Sequence, residues 1–338
     1  EKYDKISSVF LRIEGLSMKP YPLLLKPPIK DYLWGGTRLI TDFGFETTSA
    51  KAAEAWVLSC HKDGASLIAN GELAGHTLPE ALDQWGDAAV GDKAAAFPYF
   101  PILIKLIDAR DRLSVQVHPD DAYAMRVEGE FGKTEMWYVV DCEPGAALLY
   151  GFSRGLTQEE FRRRIETDTL EEVCNRVPVK KGDMFFIEAG TLHAIGAGIL
   201  IAEVQQNSNT TYRVSDYGRL GADGKPRPLH VDKAVDVTNT APPTRPYGAV
   251  GEITAIPGGT YRPLASCDLF TSQLLCVEEA VRVGSMESFT SLLCLEGGCE
   301  LTAADGTALP LKKGASVFLP AGMTAKLTGR AQLLCSRV

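Results

Sequence analysis

Residues 112–138 read RLSVQVHPDDAYAMRVEGEFGKTEMWY. Gln116 and His118 stand two apart in an alternating apolar run, and Lys133 and Glu135 stand two apart in the next. Far downstream, EAGTLHAIGAG (188–198) contributes His193. On a β-strand, residues two apart point to the same face. Each pair therefore projects polar groups from an otherwise apolar strand, and burying such groups without partners is costly. A shared divalent metal satisfies His118, Glu135 and His193 together, with Gln116 adding a neutral oxygen. Mixed nitrogen and oxygen ligands suit zinc, and also manganese, iron, cobalt or nickel. Three or four protein ligands leave a position for water or a substrate oxygen, as a catalytic site requires. The plainer reading has His118 cap the turn at Pro119 and Glu135 pair with Lys133. Convergence with His193, in a tight glycine-flanked turn, favours the metal.

AEVQQNSNTTYRVSDYGR (202–219) adds Glu203, Gln205 and Asn207 on one face, with Arg213 shortly after. An acid and an arginine beside a metal supply a base and an anion clamp. The bland alternative is an exposed edge strand with ordinary charges.

The elements that must hold these groups are mostly strands. SLIAN, PILIKLI, LSVQVH, EMWYVVDC, ALLYGF, MFFIEAG, LIAEVQQ and YRVSDY are short strand-like runs separated by Gly, Pro, Asn and Asp. Regular short strands with turn signals argue for a β-sandwich or barrel. Helices are fewer: 78–90, 120–129 and 157–177, the last opened by Thr157 and Glu160 as a capping box. Three prolines in TNTAPPTRPYG (238–248) mark an extended connector and a domain boundary. KKGDMFFIEAGTLHAI (180–195) recurs as KKGASVFLPAGMTAKL (312–327), at an offset of 132. The simplest reading is two copies of one β unit. Ala325 stands where His193 stands, so the second copy lacks that ligand.

The formal net charge of −8 offers no basic excess for nucleic-acid phosphates, though a small phosphorylated substrate needs only two or three local cations. Among the eight cysteines there is no C-x-x-C pair; they read as small hydrophobes in a reducing cytoplasm. Cys294 and Cys299 flank Glu296-Gly297-Gly298, which has the look of a hairpin turn. No apolar run approaches the length of a membrane span. Residues 1–17 lack the marks of a signal peptide and are expected to be a tag or disordered extension. The expected division is a metal-binding unit over 18–240, with a helical insertion at about 156–178, and a degenerate unit over 241–338.

SVQVHPDD, GKTEMWYVVD, EAGTLHAIG and EVQQNSNTTYRVSDYGR resemble characteristic blocks of the short bacterial form of type I phosphomannose isomerases, which are cupins. PPIKDYLWGGTRL (27–39) and AEAWVLSCHKDGASLIANGELAG (53–75) are also similar to that family, so the resemblance runs from about residue 20 to 338. It implies a mainly β fold of two cupin (jelly-roll) barrels with a small helical insertion, the second barrel without metal. It implies interconversion of mannose 6-phosphate and fructose 6-phosphate by a cytoplasmic monomer or homodimer, with one zinc ion, or another divalent metal, per chain. Gln116, His118, Glu135 and His193 match the metal ligands. Arg213 matches an active-site arginine, Glu203 a candidate acid–base carboxylate and Lys133 a pocket lysine; Glu203 or Lys133 is the expected proton-transfer base, with Glu203 ahead because it is a base at neutral pH without a shifted pKa. Ser114 and Lys105 match positions lining the substrate pocket. The long form carries a histidine beside the pocket lysine, where this chain has Gly132. Alternatives are a cupin isomerase of unphosphorylated sugars and a non-catalytic sugar-binding cupin; an iron oxygenase fits Gln116 and the basic pocket less well.

Overall fold

In the computed structural model, which describes residues 18–221, 224–249 and 251–338, the alternating runs have become strands of three open sheets. The expectation for residues 1–17 lies outside the described residues. A six-stranded sheet is ordered Met184–Ile187, Glu135–Cys142, Ile199–Gln206, Ile102–Ala109, Glu54–Leu58, Ile29–Lys30. A five-stranded sheet faces it, ordered Tyr212–Ser215, Val115–Val117, His193–Ala194, Ala147–Phe152, Cys174–Pro178. The strand Ile102–Ala109 is buried along its whole length, Lys105 included. The mainly β expectation holds; no sheet closes on itself as a barrel.

The ten-stranded sheet is built around two 14-residue strands, Thr290–Ala303 and Thr324–Arg337. It also takes in Leu23–Lys26 and Leu67–Ile68 from the start of the chain. One apolar cluster joins Val57, Ile104 and Tyr138 to Phe270, Phe318 and Leu334. A cut at 240/241 therefore crosses a shared sheet and a shared core. The connector is pinned rather than free: Met184 and Gly248 exchange two backbone hydrogen bonds of 2.8 Å, and Tyr247 stacks on Phe185.

The repeat is real in the backbone. Gly182 and Gly314 have φ of 90° and 89°, Gly190 and Gly322 of 86° and 77°, all in the left-handed region that favours glycine. Met184–Ile187 and Ser316–Leu319 are the matching strands.

Three local readings change. The helix expected over 78–90 is broken at Gly86, whose φ of 70° ends Leu78–Trp85 before Asp87–Val90 begins. The third helix stops at Glu166; Asp168 turns at φ 54°, a 3-10 turn covers Leu170–Val173, and Cys174–Pro178 is a strand. Its capping box is half made, because Thr157 accepts from the Glu160 amide while the Glu160 carboxylate is taken by Arg154. The complete box lies at Thr77, whose hydroxyl accepts from Glu80 N while Glu80 accepts from Thr77 N at 2.7 Å. Thr77→Ala is expected to lower the unfolding free energy by about 1 kcal/mol, read from urea denaturation, with activity unchanged. Gly297 marks no hairpin: Thr290–Ala303 runs straight through it, with a register shift between Cys294 and Glu296. All eight cysteines are free, three of them buried.

Candidate active site

The two facing sheets bring the ligand candidates together. Val115–Val117 sets Gln116 opposite His193 on one side and Arg213 on the other. The strand ends at Pro119, leaving His118 at its tip. Glu135 opens the facing strand and lies opposite Gln205, while Trp137 lies opposite Glu203. One ligand atom each from His118, Glu135 and His193 lie within 4.8 Å of one another, and all three residues are buried. His118 Nε2 is 3.2 Å from Glu135 Oε1.

Both imidazoles are held by their other nitrogen. His118 Nδ1 lies 2.9 Å from the Thr210 carbonyl, and His193 Nδ1 lies 2.8 Å from the Thr191 carbonyl. A carbonyl only accepts, so each Nδ1 carries the proton and each Nε2 offers a lone pair to the shared space. Burial, with Lys133 beside it, pushes His118 down to about 3; burial also lowers His193. Both rings are thus neutral, as metal binding requires. Burial alone would raise Glu135, but the charge of Lys133 beside it holds it well below the usual carboxylate range. Its Oε1 makes no hydrogen bond of proper geometry, although Lys133 Nζ is 2.8 Å away. A buried anionic oxygen without a hydrogen bond, facing two imidazole lone pairs, fits a divalent cation.

The other candidates form a chain from this point. Gln116 Nε2 is 3.4 Å from His193 Nε2, and Ser114 Oγ donates to Gln116 Oε1 at 3.2 Å. Trp137 Nε1 bridges Glu135 Oε2 at 2.9 Å and Glu203 Oε1 at 2.8 Å. Glu203 Oε2 faces Lys105 Nζ at 3.4 Å and has no hydrogen bond. Burial, then the charge of Glu135, pushes Glu203 up to about 7. Burial works against the charge of Lys105, but Glu54 and Glu203 outweigh it and raise the amine above its ordinary value.

Arg213 is placed less directly. It shares the Gln116 row, its Nη1 donates to Pro228 O at 3.1 Å, and its buried Nε has no hydrogen-bond partner. Gln205 and Asn207 serve the backbone instead: Gln205 donates to Gln206 O and Ser208 O, and Asn207 to Phe100 O. They brace the loop whose Thr210 carbonyl orients His118.

Glu54 and Trp56 were missed by sequence reasoning. Trp56 Nε1 donates to Glu54 at 2.7 Å, Glu54 lies 3.7 Å from Lys105 Nζ, and the Trp56 ring lies under that ammonium. The signal was there: Glu54-x-Trp56 repeats the spacing of Glu135-x-Trp137, with the same hydrogen bond.

Gly132 admits no side chain. A Cβ there would lie 2.5 Å from backbone atoms of Asp120 and Asp121. Gly132→Ala is expected to cost about 1–3 kcal/mol through this overlap and to lower turnover by displacing Lys133, whose amide donates to Pro119 O. Denaturation and steady-state kinetics on the same preparation check both effects.

The chain is similar to known proteins over nearly its full length. Residues 23–138 match the model of the phosphomannose isomerase type I catalytic domain, and residues 262–338 that of the mannose-6-phosphate isomerase cupin domain. The mannose-6-phosphate isomerase ManA of Bacillus subtilis (strain 168) is 37% identical over 327 residues, 95% of this chain and 100% of that protein. The mannose-6-phosphate isomerase of Streptococcus mutans is 36% identical over 299 residues, 88% of this chain and 92% of that one. A crystal structure of mannose 6-phosphate isomerase from Bacillus subtilis superposes with a TM-score of 0.87 at 35% identity, over 94% of this chain and 99% of that one. With both halves matched by the same family and a relative aligned end to end, the chain belongs to the type I phosphomannose isomerases.

Proposed function

We propose that the chain is a divalent-metal-dependent aldose–ketose isomerase that interconverts mannose 6-phosphate and fructose 6-phosphate through an enediol(ate). The observation that carries this is the continuous path from His118 and His193 through Glu135 and Trp137 to Glu203, a buried carboxylate pushed up to about 7. A group of that kind can both take and return a proton near neutral pH.

His118, Glu135 and His193 would hold the metal, with zinc as the ion and Gln116 as a fourth ligand once its amide turns to exchange the Nε2 now facing His193 for Oε1. When bound, the ion supplies Lewis-acid stabilisation of developing oxyanion charge. Glu203 takes the C2 proton of the open-chain aldose. The C–H electron pair becomes the C1–C2 double bond, the carbonyl pair moves onto O1, and the hydroxyl proton of O2 passes to O1. Glu203 then returns its proton to C1 as the pair on O2 re-forms a carbonyl at C2. Lys133, an ammonium paired with Glu135, has no lone pair to act as base and instead balances charge on O1 and O2. Lys105, between Glu54 and Glu203, keeps Glu203 anionic for its turn as base. Ser114 steadies Gln116, and Arg213 offers an anion clamp at the far end of the same row.

Among the described residues no helix is long and apolar enough to cross a membrane. Eight unpaired thiols support a cytoplasmic enzyme, and we assign its catalysis to residues 18–240. The test is kcat/KM for mannose 6-phosphate against free mannose. A preference of about 10³-fold or more is expected of a site built to pair with phosphate, and Arg213→Ala should remove much of it through KM. Equal turnover of the free sugar would replace this reading with an isomerase of unphosphorylated sugars.

A further inference from the structure

The C-terminal sheet repeats the catalytic sheet strand for strand. In the six-stranded sheet, Phe185, Trp137, Glu203, Lys105 and Trp56 form one cross-strand row. In the ten-stranded sheet, Val317, Leu292, Cys335, Gln273 and Pro263 form a row in the same strand order. The next row is Ile187, Glu135, Gln205 and Leu103 in the first sheet. In the second, two residues along from the row above, Leu319 pairs with Thr290 and Arg337 with Thr271. Phe185 with Val317, and Ile187 with Leu319, keep the sequence offset of 132, so sequence and register agree on the equivalence.

The chemistry has been stripped out of the copy. Thr290 stands at the place of Glu135, Cys335 at that of Glu203, Gln273 at that of Lys105 and Ala325 at that of His193. A cavity of about 200 Å³ nevertheless opens there, lined by Tyr261, Thr271, Gln273, Thr290, Cys335 and Arg337. Strand alternation turns these side chains to the inner face shared by Leu275 and Leu292. The volume is that of roughly six or seven liquid waters, enough for the polyol part of a six-carbon sugar.

The lining is mixed in polarity, with Ile256, Leu275, Val281 and Val283 beside the hydroxyls and the amide, and it is one-sided in charge. It holds two arginines, Arg337 and Arg282, and no carboxylate, in a chain of net charge −8. Arg337 replaces the neutral Gln205 of the first copy and lies exposed at the mouth. Glu287 is near enough to feel Arg337, and its carboxylate is paired with Lys93 at 2.8 Å. A guanidinium at the mouth of a cup whose walls alternate hydroxyls and an amide with aliphatic side chains suits an anionic group on a polyol, which has both hydroxyls and C–H faces to offer.

We propose that this cavity is a second binding site, for a small phosphorylated polyol held without turnover. Arg337 takes the phosphate; Tyr261, Thr271, Gln273 and Thr290 take the hydroxyls. The lining holds no counterpart of Glu203 or of His118, Glu135 and His193 to act on the molecule.

The test is calorimetric titration of the metal-loaded full chain with a hexitol 6-phosphate, which has no carbonyl to isomerise, and separately with inorganic phosphate. Two hexitol phosphates per chain are expected for the unaltered protein and one for Arg337→Ala, the lost site weakened about 10-fold or more. Gln273→Leu should weaken the same site, and both variants should keep turnover of mannose 6-phosphate at limiting substrate. One hexitol phosphate per chain from the start, or two in both variants, overturns the proposal. Inorganic phosphate binding there as tightly as the hexitol phosphate also overturns it, leaving an anion site without polyol recognition. Absence of isomerase activity in metal-loaded protein assayed without the hexitol phosphate, when that protein binds two of them, would count against the catalytic reading instead, so the two fail separately.

Discussion

Glu135→Gln is expected to yield a folded protein that has lost its metal and about 10³-fold or more of its turnover. The loss corresponds to about 4 kcal/mol of transition-state stabilisation, the scale of a Lewis acid acting on a developing oxyanion. The geometry makes the substitution clean. Gln keeps the size of Glu and can still accept from Trp137 Nε1 through its carbonyl oxygen. What it removes is the anionic oxygen within 3.2 Å of His118 Nε2 and 2.8 Å of Lys133 Nζ. Lys133 then stands buried without its partner, a cost of about 3–5 kcal/mol for a broken buried pair, so a lower Tm accompanies the loss of metal. Metal analysis, kcat and thermal unfolding on one preparation separate the effects. A variant that keeps its metal and turns over normally would remove Glu135 from the ligand set.

Glu203→Gln should have a different profile: kcat down by about 10²–10⁴-fold, metal content unchanged, KM little altered. Glu203 is hydrogen-bonded toward the metal cluster through Trp137, and a glutamine can still accept that indole hydrogen bond. The pH dependence gives a sharper readout. A base must be deprotonated to work, and burial has pushed Glu203 up to about 7. A bound cation offsets the charge of Glu135, so in the unaltered enzyme kcat/KM should fall with pH along a limb at or below about 7 and level off above it. In Glu203→Gln that acid limb should vanish from the residual activity. A variant with the limb intact would assign it to another group, and near-normal turnover would end the base role.

Much of the site was legible because its spacing is local. Gln116 with His118, and Lys133 with Glu135, are two-residue intervals on strands, and strand geometry alone fixes which way each pair points. His193 was legible from its glycine-flanked turn, and the repeat supplied a control copy in which Ala325 takes its place. Glu54 and Trp56 escaped notice because an acidic residue in an apolar strand carries no meaning until a cation is found beside it. Lys105, 51 positions later in the sequence, is brought there only by strand pairing. The shared sheet was invisible for the same reason: Leu23 pairs with Phe318, and no local pattern announces such a partner. Gly297 shows the opposite error. A glycine pair between two cysteines looked like a turn, yet φ of 70° there belongs to a bulged region of one long strand. The third helix was drawn too long because its periodicity persists past Asp168, whose left-handed backbone ends it.

The central claim is that a metal held by His118, Glu135 and His193 enables this chain to isomerise a sugar phosphate. The most direct measurement follows conversion of mannose 6-phosphate to fructose 6-phosphate in a coupled assay, before chelation, after it, and after adding back zinc, with metal content determined at each stage. The expected result is activity that falls with the metal and returns with it, at one ion per chain. Full activity in metal-free protein, or none in protein carrying one zinc per chain, would contradict the account.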